Sequence, residues 1–438
     1  MRRICTLIMF FLVVFSNVAQ GEKVGPEISV GLVVNQFSAE VSTDKGTVLT
    51  ILSNGKSASL DSKTIYASIK DGRLHWANEA IAGNEVEIST KNEMTAVSVN
   101  RKKYHGKIRI SMNKDKRTLT VCNILPLEQY LYGVVAKEVI PLWPEEAIKA
   151  QAVAARSFAL SAILKNSSGL FDIRANELGQ VYGGIEAENP LTTKQVDATR
   201  GIVITHNGKP IEAYFHSAGG GFTENSENVW GTVMPYLKGV VDFDQDSPKY
   251  NWQKIYSIVE VETSLSNAGY MIGKLKAVRL SPLSLPPVKN TDRGISGRVI
   301  KLSFIGHDGE VSLTGNEMRR IFQLNSTLFD IFVGSQPPKS IEVTLLDPYG
   351  NEKGSKEIPI NIPGDQDSVH IKGLENLRLI TGSNSEKFVI NGRGWGHGLG
   401  LSQWGARGMA LKAPKGSSNY FKEILRHYYT DVNIEKFY

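Results

Sequence analysis

The chain has 438 residues, 41% of them apolar and 21% charged, with a formal net charge of +6. That composition suits a folded soluble protein of two or three domains, or one elaborated domain. No arginine-rich arm or nucleic-acid motif is present, so nucleic acid is set aside and the modest positive excess suits an anionic surface such as a cell wall.

The first residues, MRRICTLIMFFLVVFSNVAQGE, place Arg2 and Arg3 before an apolar run from Ile4 to Phe15 and then small residues. This is the pattern of a secretory signal over 1–21, with cleavage after Ala19 or Gly21. The run is short for a membrane span. Retention as an N-terminal anchor is the alternative, and the one route by which this chain would meet a membrane. Export would place the protein in the periplasm or the cell-wall space. Cys5 lies too early to be a lipoprotein cysteine. With the leader removed, Cys122 stands alone, which excludes an intrachain disulfide and a cysteine-based zinc cluster.

Residues 22–121 read as a β region. ISVGLVV, TVLTIL, KTIYASI, EVEIST, TAVSVN, GKIRISM and TLTVCNI are short runs rich in β-branched residues, separated by Gly, Asn, Asp and Lys. His75 and His105 sit singly and read as structural or surface residues. Cys122, in the last run, reads as a buried small hydrophobe.

The stretch LEQYLYGVVAKEVIPLWPEEAIKAQAVAARSFALSAILK, 127–165, reads as two helices broken at a Pro-rich elbow. Leu131, Val134, Val135 and Glu138 share one helical face, and Pro141 disfavours helix at Ile140. A carboxylate at the end of an apolar stripe is costly to bury ionised, so burial would raise its pKa into the range of a general acid. The competing reading of Glu138 is an exposed helix-end charge or a partner to a basic residue. The second helix starts near Pro144, with Glu145 and Glu146 complementing its dipole. Gln151 and Arg156 fall within apolar stripes and need partners. They either tie to backbone carbonyls or line a site with Glu138.

Then FDIRANELGQVYGGIEAENP is loop-rich and LTTKQVDATRG helical, ending at Gly201. His206-Asn207-Gly208 signals a hairpin turn. The strand that follows delivers His216-Ser217 into Gly219-Gly220-Gly221. With no G-x-S-x-G elbow, Ser217 is a poor candidate nucleophile. Trp230 and Tyr236 can form a sugar platform or belong to the core. Residues 334–388, broken by Pro, Gly and Asp, read as an inserted β subdomain. In NGRGWGHGLGLSQWGARGMA, Gly392, Gly394, Gly396, Gly398 and Gly400 take every second position. As a strand this leaves one face bare and sets Asn391, Arg393, Trp395, His397 and Leu399 on the other. A bare face admits another backbone or a flat sugar ring.

Several of these segments resemble one family. PLEQYLYGVVAKEV..WPEEAIKAQAVAARSFAL is similar to the first signature of the SpoIID/LytB family of peptidoglycan-acting proteins, though Val139-Ile140-Pro141 is one residue longer than its usual Met-Pro. QVYGG, the segment from His216 to Thr223, ENVWG, the S-G-R-V run at 296–299 and GRGWGHGLGLSQWGA resemble its further motifs. Some members bind metal near the histidine segment through cysteine, which this chain lacks there.

The resemblance implies a secreted lytic transglycosylase. It would cleave the MurNAc–GlcNAc bond of peptide-stripped glycan strands and leave 1,6-anhydroMurNAc ends. Glu138 would be general acid and base. Gln151, Arg156, Tyr182, His216, Ser217, Trp230, Arg393, Trp395, His397 and Gln403 would contact the glycan. No cofactor and no metal are expected. The LytB branch implies the alternative, a non-catalytic wall-binding enhancer of an N-acetylmuramoyl-L-alanine amidase, with that amidase as partner. The expected fold is α+β and β-rich. It has the N-terminal β region, a core over 122–333 holding the helix pair, the insert at 334–388, and a C-terminal part of the core over 389–438. The bare glycine face is expected to bring 389–405 against the alanine-rich helix pair.

Overall fold

The computed structural model describes residues 25–334, 340–346, 352–359 and 376–438, apart from 44–46, 61–62, 78, 91–95, 167–168, 178 and 384. The expected leader, 1–21, lies outside the described residues. The fold is α+β, as the pattern of runs suggested.

Residues 27–126 build two antiparallel sheets. One has the order 57–60, 47–51, 85–90, 107–112, 119–126 and 27–36, with the short strand Ile173–Arg174 joining its far edge in parallel. The other has the order 102–104, 97–99, 38–43, 63–70, 73–76 and 79–80. All seven β-branched runs fall on strands. Alternation decides their orientation: Ile108 and Ile110 of Lys107–Met112 are buried while Lys107 is exposed. Leu119–Pro126 shows no such alternation because it lies between two strands, and it is buried along almost its whole length. Cys122 is buried within it.

That strand runs directly into helix α1 (Leu127–Glu138), with Pro126 at its N-cap. Leu127, Tyr130, Leu131, Val134 and Val135 face the core. An elbow leads to α2 (Glu145–Lys165), and Pro144 sits one place before the first helical residue, at the N-cap. Glu146 is buried and does more than oppose the dipole, since it accepts from Lys149 Nζ and from Phe421 N. Helix α2 is long and apolar enough to cross a bilayer, yet 72% of its apolar window is buried inside the protein. Its alanines let α1, α3 (Pro190–Ala198) and the strand Ile202–His206 approach closely. Two later helices pack on it as well. Gly201, at φ +68°, turns the chain from α3 into that strand, and Asn207 and Gly208, at +52° and +72°, close its hairpin.

Helices α4 (Ser226–Trp230), α5 (Ile258–Asn267) and α6 (Gly315–Ile321) follow, the last two opened by capping boxes, Ser257 with Glu260 and Thr314 with Glu317. Around Phe304, Phe322, Phe329 and Phe388 lie a sheet of 251–257, 387–393 and 329–334 and one of 310–314, 301–306, 275–279 and 377–379. Within 334–388, Ser340–Leu346 and Glu352–Pro359 form a hairpin, while 377–379 joins the second of these sheets. Helices α7 (Gln403–Leu411) and α8 (Tyr420–Tyr428) pack on α2. The last strand, Asn433–Lys436, pairs with Ile202–His206.

Candidate active site

Glu138 ends α1 at the elbow, half-buried. Gln403, the first residue of α7, donates from Nε2 to Glu138 Oε2 at 2.8 Å. Burial pushes the Glu138 carboxyl above its usual range, and the Gln403 bond pulls it back only in part. A low-dielectric site with a neutral donor shifts a carboxyl in this direction, toward its protonated form. Trp143 of the elbow meets Trp404 of α7 edge-on, ring centroids 5.0 Å apart, so the two signature segments share one wall. Packing of the glycine segment's end against the helix pair thus occurs, but through α7 rather than through bare glycines.

The glycine run itself is a correction. The strand stops at Arg393. Gly394, Gly396, Gly398 and Gly400 take φ of +73°, +110°, +82° and +64°, a left-handed course instead of a flat face. A side chain on Gly396 would press on His216 Cβ, and one on Gly398 would collide with the Arg298 guanidinium. The glycines therefore seat the run on the histidine loop and on Arg298. Ala218 and Trp395 exchange both backbone bonds, at 3.1 and 2.8 Å. Phe215 and His216 pair in parallel with Leu401 and Ser402, and Trp404 N donates to Ser217 O at 3.0 Å.

The backbone of one residue, Leu399, sets both histidine tautomers. Leu399 N donates to His397 Nδ1, and His216 Nδ1 donates to Leu399 O, each at 3.1 Å. His216 Nε2 is then an unprotonated, buried nitrogen with no hydrogen-bond partner among the described residues. Burial, then Arg298 and Arg319, pushes His397 down to about 3. Burial, then His397 and Arg298, pushes His216 well below its usual value. Both rings stay neutral at cellular pH. They lie 5.5 Å apart, and Trp230 sits 5.3 Å from His397 and 4.5 Å from Tyr214.

Behind this surface is a wall of buried ionisable groups, in which burial pushes Asp242 up and, with Asp242 beside it, Asp244 up to about 8. Arg298 is buried and donates from Nη2 to Gly219 O at 2.8 Å, and Nε and Nη1 have no partners among the described residues. Glu224 accepts from Ser296 N and Oγ and from Ile295 N. Asp242 and Asp244 accept the amides of Gly219, Gly220 and Gly221.

The structure thus gathers Glu138, Gln403, His216, Ser217, Trp230, Trp395 and His397 around one junction. Trp230 and Trp395 are 40% and 39% exposed, open enough to meet a ligand. Lys249 Nζ lies 4.7 Å from the Trp395 ring centre. Arg393 is half-buried on the strand edge, close enough to Tyr250 to lower that phenol's otherwise raised pKa.

Three candidates are placed differently. Arg156 is fully buried, bound to Glu128 at 2.9 and 2.8 Å and to the carbonyls of Val196 and Ile202, with no donor left for a sugar. Tyr182 lies in the core, donating to Asn123 Oδ1 at 3.0 Å. Gln151 is buried and neither amide atom has a partner among the described residues, so the expected tie to a backbone carbonyl is not found there.

The sequence reading did not single out Trp143, Trp404, Arg298, Asp242 or Asp244 as site residues. For the last two a signal existed: in VVDFD the acids alternate with apolar residues, which puts both on one side of an extended chain. For Arg298 none existed beyond its place in the S-G-R-V run.

Comparison with known proteins agrees with this arrangement. The family model described as Stage II sporulation protein (SpoIID) matches residues 115–206, which hold the helix pair, and one described as a domain of unknown function matches 224–345. An uncharacterized protein of Brachyspira hyodysenteriae is 31% identical over 77% of this chain and 73% of its own length. The amidase enhancer of Bacillus subtilis is 29% identical over 86% of this chain, which spans 50% of that longer protein. Stage II sporulation protein D of Bacillus subtilis is 26% identical over 71% of this chain and 75% of its own. With both signature segments meeting at Glu138 and relatives of both names covering most of its length, the chain belongs to the SpoIID/LytB family.

Proposed function

We propose that this protein remodels bacterial cell wall as an exported lytic transglycosylase, with Glu138 as general acid and then general base. The observation that carries the reading is the half-buried Glu138 carboxyl, raised by burial and steadied by one neutral donor. Protonated Glu138 gives its proton to the glycosidic oxygen as the bond to C1 of the muramic residue breaks. The carboxylate then takes the proton of the muramic 6-hydroxyl as that oxygen bonds to C1. One bond breaks, one forms, and the proton count balances without water. A single carboxyl group suffices, unlike glycosidases that need two. Asp242, Asp244 and Glu224 do not compete for the role, since each is buried and engaged by backbone amides. Trp230, Trp395 and the half-buried His397 are suited to hold sugar rings, aromatic faces being a good match for their apolar sides.

Similarity to an amidase enhancer over 86% of the chain favours a second reading, a wall-binding partner of an N-acetylmuramoyl-L-alanine amidase. That role needs the aromatic surface but not an acidic Glu138. Mass analysis of peptide-stripped glycan strands incubated with the purified protein separates the two. New 1,6-anhydro ends are expected; binding without new ends, together with faster cleavage by added amidase, would favour the enhancer.

A further inference from the structure

Asp242 lies behind the site, takes no part in the chemistry above, and is fully buried. Burying a carboxyl group there is unfavourable unless donors surround it, and at least three do. Gly219 N reaches Oδ2 at 2.9 Å, while Tyr428 Oη and Phe243 N reach Oδ1 at 2.7 and 2.8 Å. Its own amide donates to Gly221 O at 2.9 Å. Asp244 completes the capture by accepting from Gly220 N and Gly221 N at 2.7 and 2.9 Å.

The same carboxylate is also the seat of α7. Gly405 of its first turn lies so close that a Cβ there would collide with Asp242 Oδ1 and with the Tyr428 hydroxyl. Ser402 caps this turn by accepting from Gly405 N at 3.2 Å. In that turn, Gln403 donates to Glu138 and Trp404 N donates to Ser217 O. Asp242 therefore touches three things at once: the glycine loop after His216-Ser217, helix α8 through Tyr428, and the turn that presents Gln403.

We propose that Asp242 is a positioning residue for Glu138: its bonds to the glycine loop and to Tyr428 seat the first turn of α7, so that Gln403 reaches the Glu138 carboxylate. Asp242 touches no substrate in this account. Only the consequence for strand cleavage rests on the transglycosylase reading; the contact does not.

The test reads Glu138 directly. The full chain is labelled with ¹³C at glutamate side-chain carboxyls, and the Glu138 resonance is assigned by its loss in Glu138→Gln. Its titration is compared in wild type, Gln403→Met and Asp242→Asn, with melting temperature measured alongside. Asn keeps the size of Asp but turns an NH2 group toward one of the three donors. In Gln403→Met the Glu138 pKa is expected to rise by about one unit, the size of one lost hydrogen bond to a carboxylate. Asp242→Asn is expected to move it the same way, toward that value. A folded Asp242→Asn whose Glu138 titrates as in wild type overturns the proposal, even if stability has dropped, because that result makes Asp242 structural only. If Asp242→Asn does not fold, Tyr428→Phe decides: it removes one donor beside Gly405, and an upward shift supports the proposal while none overturns it. No step requires cleavage, so absence of anhydro ends in wild type would defeat the enzymatic reading and leave this one standing.

Discussion

Helix α1 carries a buried or half-buried glutamate at each end, and the protein treats them in opposite ways. At the start, Glu128 is enclosed by donors: Arg156 Nε and Nη2 at 2.9 and 2.8 Å, Gly201 N at 3.1 Å and Tyr438 Oη at 2.6 Å. Burial pushes its carboxyl up, but the Arg156 charge and these bonds outweigh that and hold it below its usual value. At the other end, Glu138 has the Gln403 amide, and burial prevails. A carboxylate saturated with charge and donors ties α1 to α2 and to the chain's last residue. One kept short of them is shifted toward its protonated form. The difference lies in partners, not in helix or in residue type, and it separates a structural carboxyl from a chemical one.

The contrast between the two glutamates can be tested residue by residue. The largest effect is expected for Glu138→Gln. It should cut strand cleavage by about 100- to 10,000-fold, toward the upper end because one group serves both halves of the reaction. The melting temperature should hold or rise slightly, since a neutral amide is easier to keep at that position than a carboxylate. Cleavage at the wild-type rate would remove Glu138 from the chemistry, and loss of activity through unfolding would make it another Glu128.

Arg156→Met should do the reverse. It strands a buried carboxylate and is expected to lower stability by about 3–5 kcal/mol, read by denaturant melts, while whatever fraction folds keeps its activity per molecule. Tyr438→Phe is the gentler version. It removes one donor from Glu128 and should lower stability by about 1–2 kcal/mol without touching cleavage.

The smallest effect is in the pH dependence of stability. Glu128 has a folded pKa below its unfolded value of about 4.3, so its contribution is present above that pH and is lost as pH falls through the folded value. Glu138 is shifted the other way. Its contribution is present below about pH 4.3 and is lost as pH rises through its folded pKa. Denaturation of wild type and Glu138→Gln across this window should show a stability difference that declines with rising pH and then levels. A flat difference would mean that Glu138 is not desolvated.

Much of the scaffold was legible from short-range pattern. The seven β-branched runs became strands because alternation and turn residues act over a few neighbours. Helix α1 and its Glu138 were legible because the apolar stripe and Pro141 act within two turns. The same local logic misjudged the glycine run. Alternate glycines fit a flat strand as well as a left-handed course, and Arg298 and the His216 loop, which demand the latter, are distant in sequence. Sugar contacts expected of Arg156 and Tyr182 failed for a like reason: their partners, Glu128 and Asn123, are set by packing.

Most strands, the helix pair, the family motifs and the carboxyl to watch were thus readable along the chain, since each depends on residues a few positions apart. Which glutamate is held below its usual pKa and which is raised above it was settled by folding alone. That choice depends on Arg156, Tyr438 and Gln403, which lie 28, 310 and 265 residues from the glutamates they serve. A carboxyl pKa is set by what comes within a few ångströms, and chain folding, not chain order, brings those groups there.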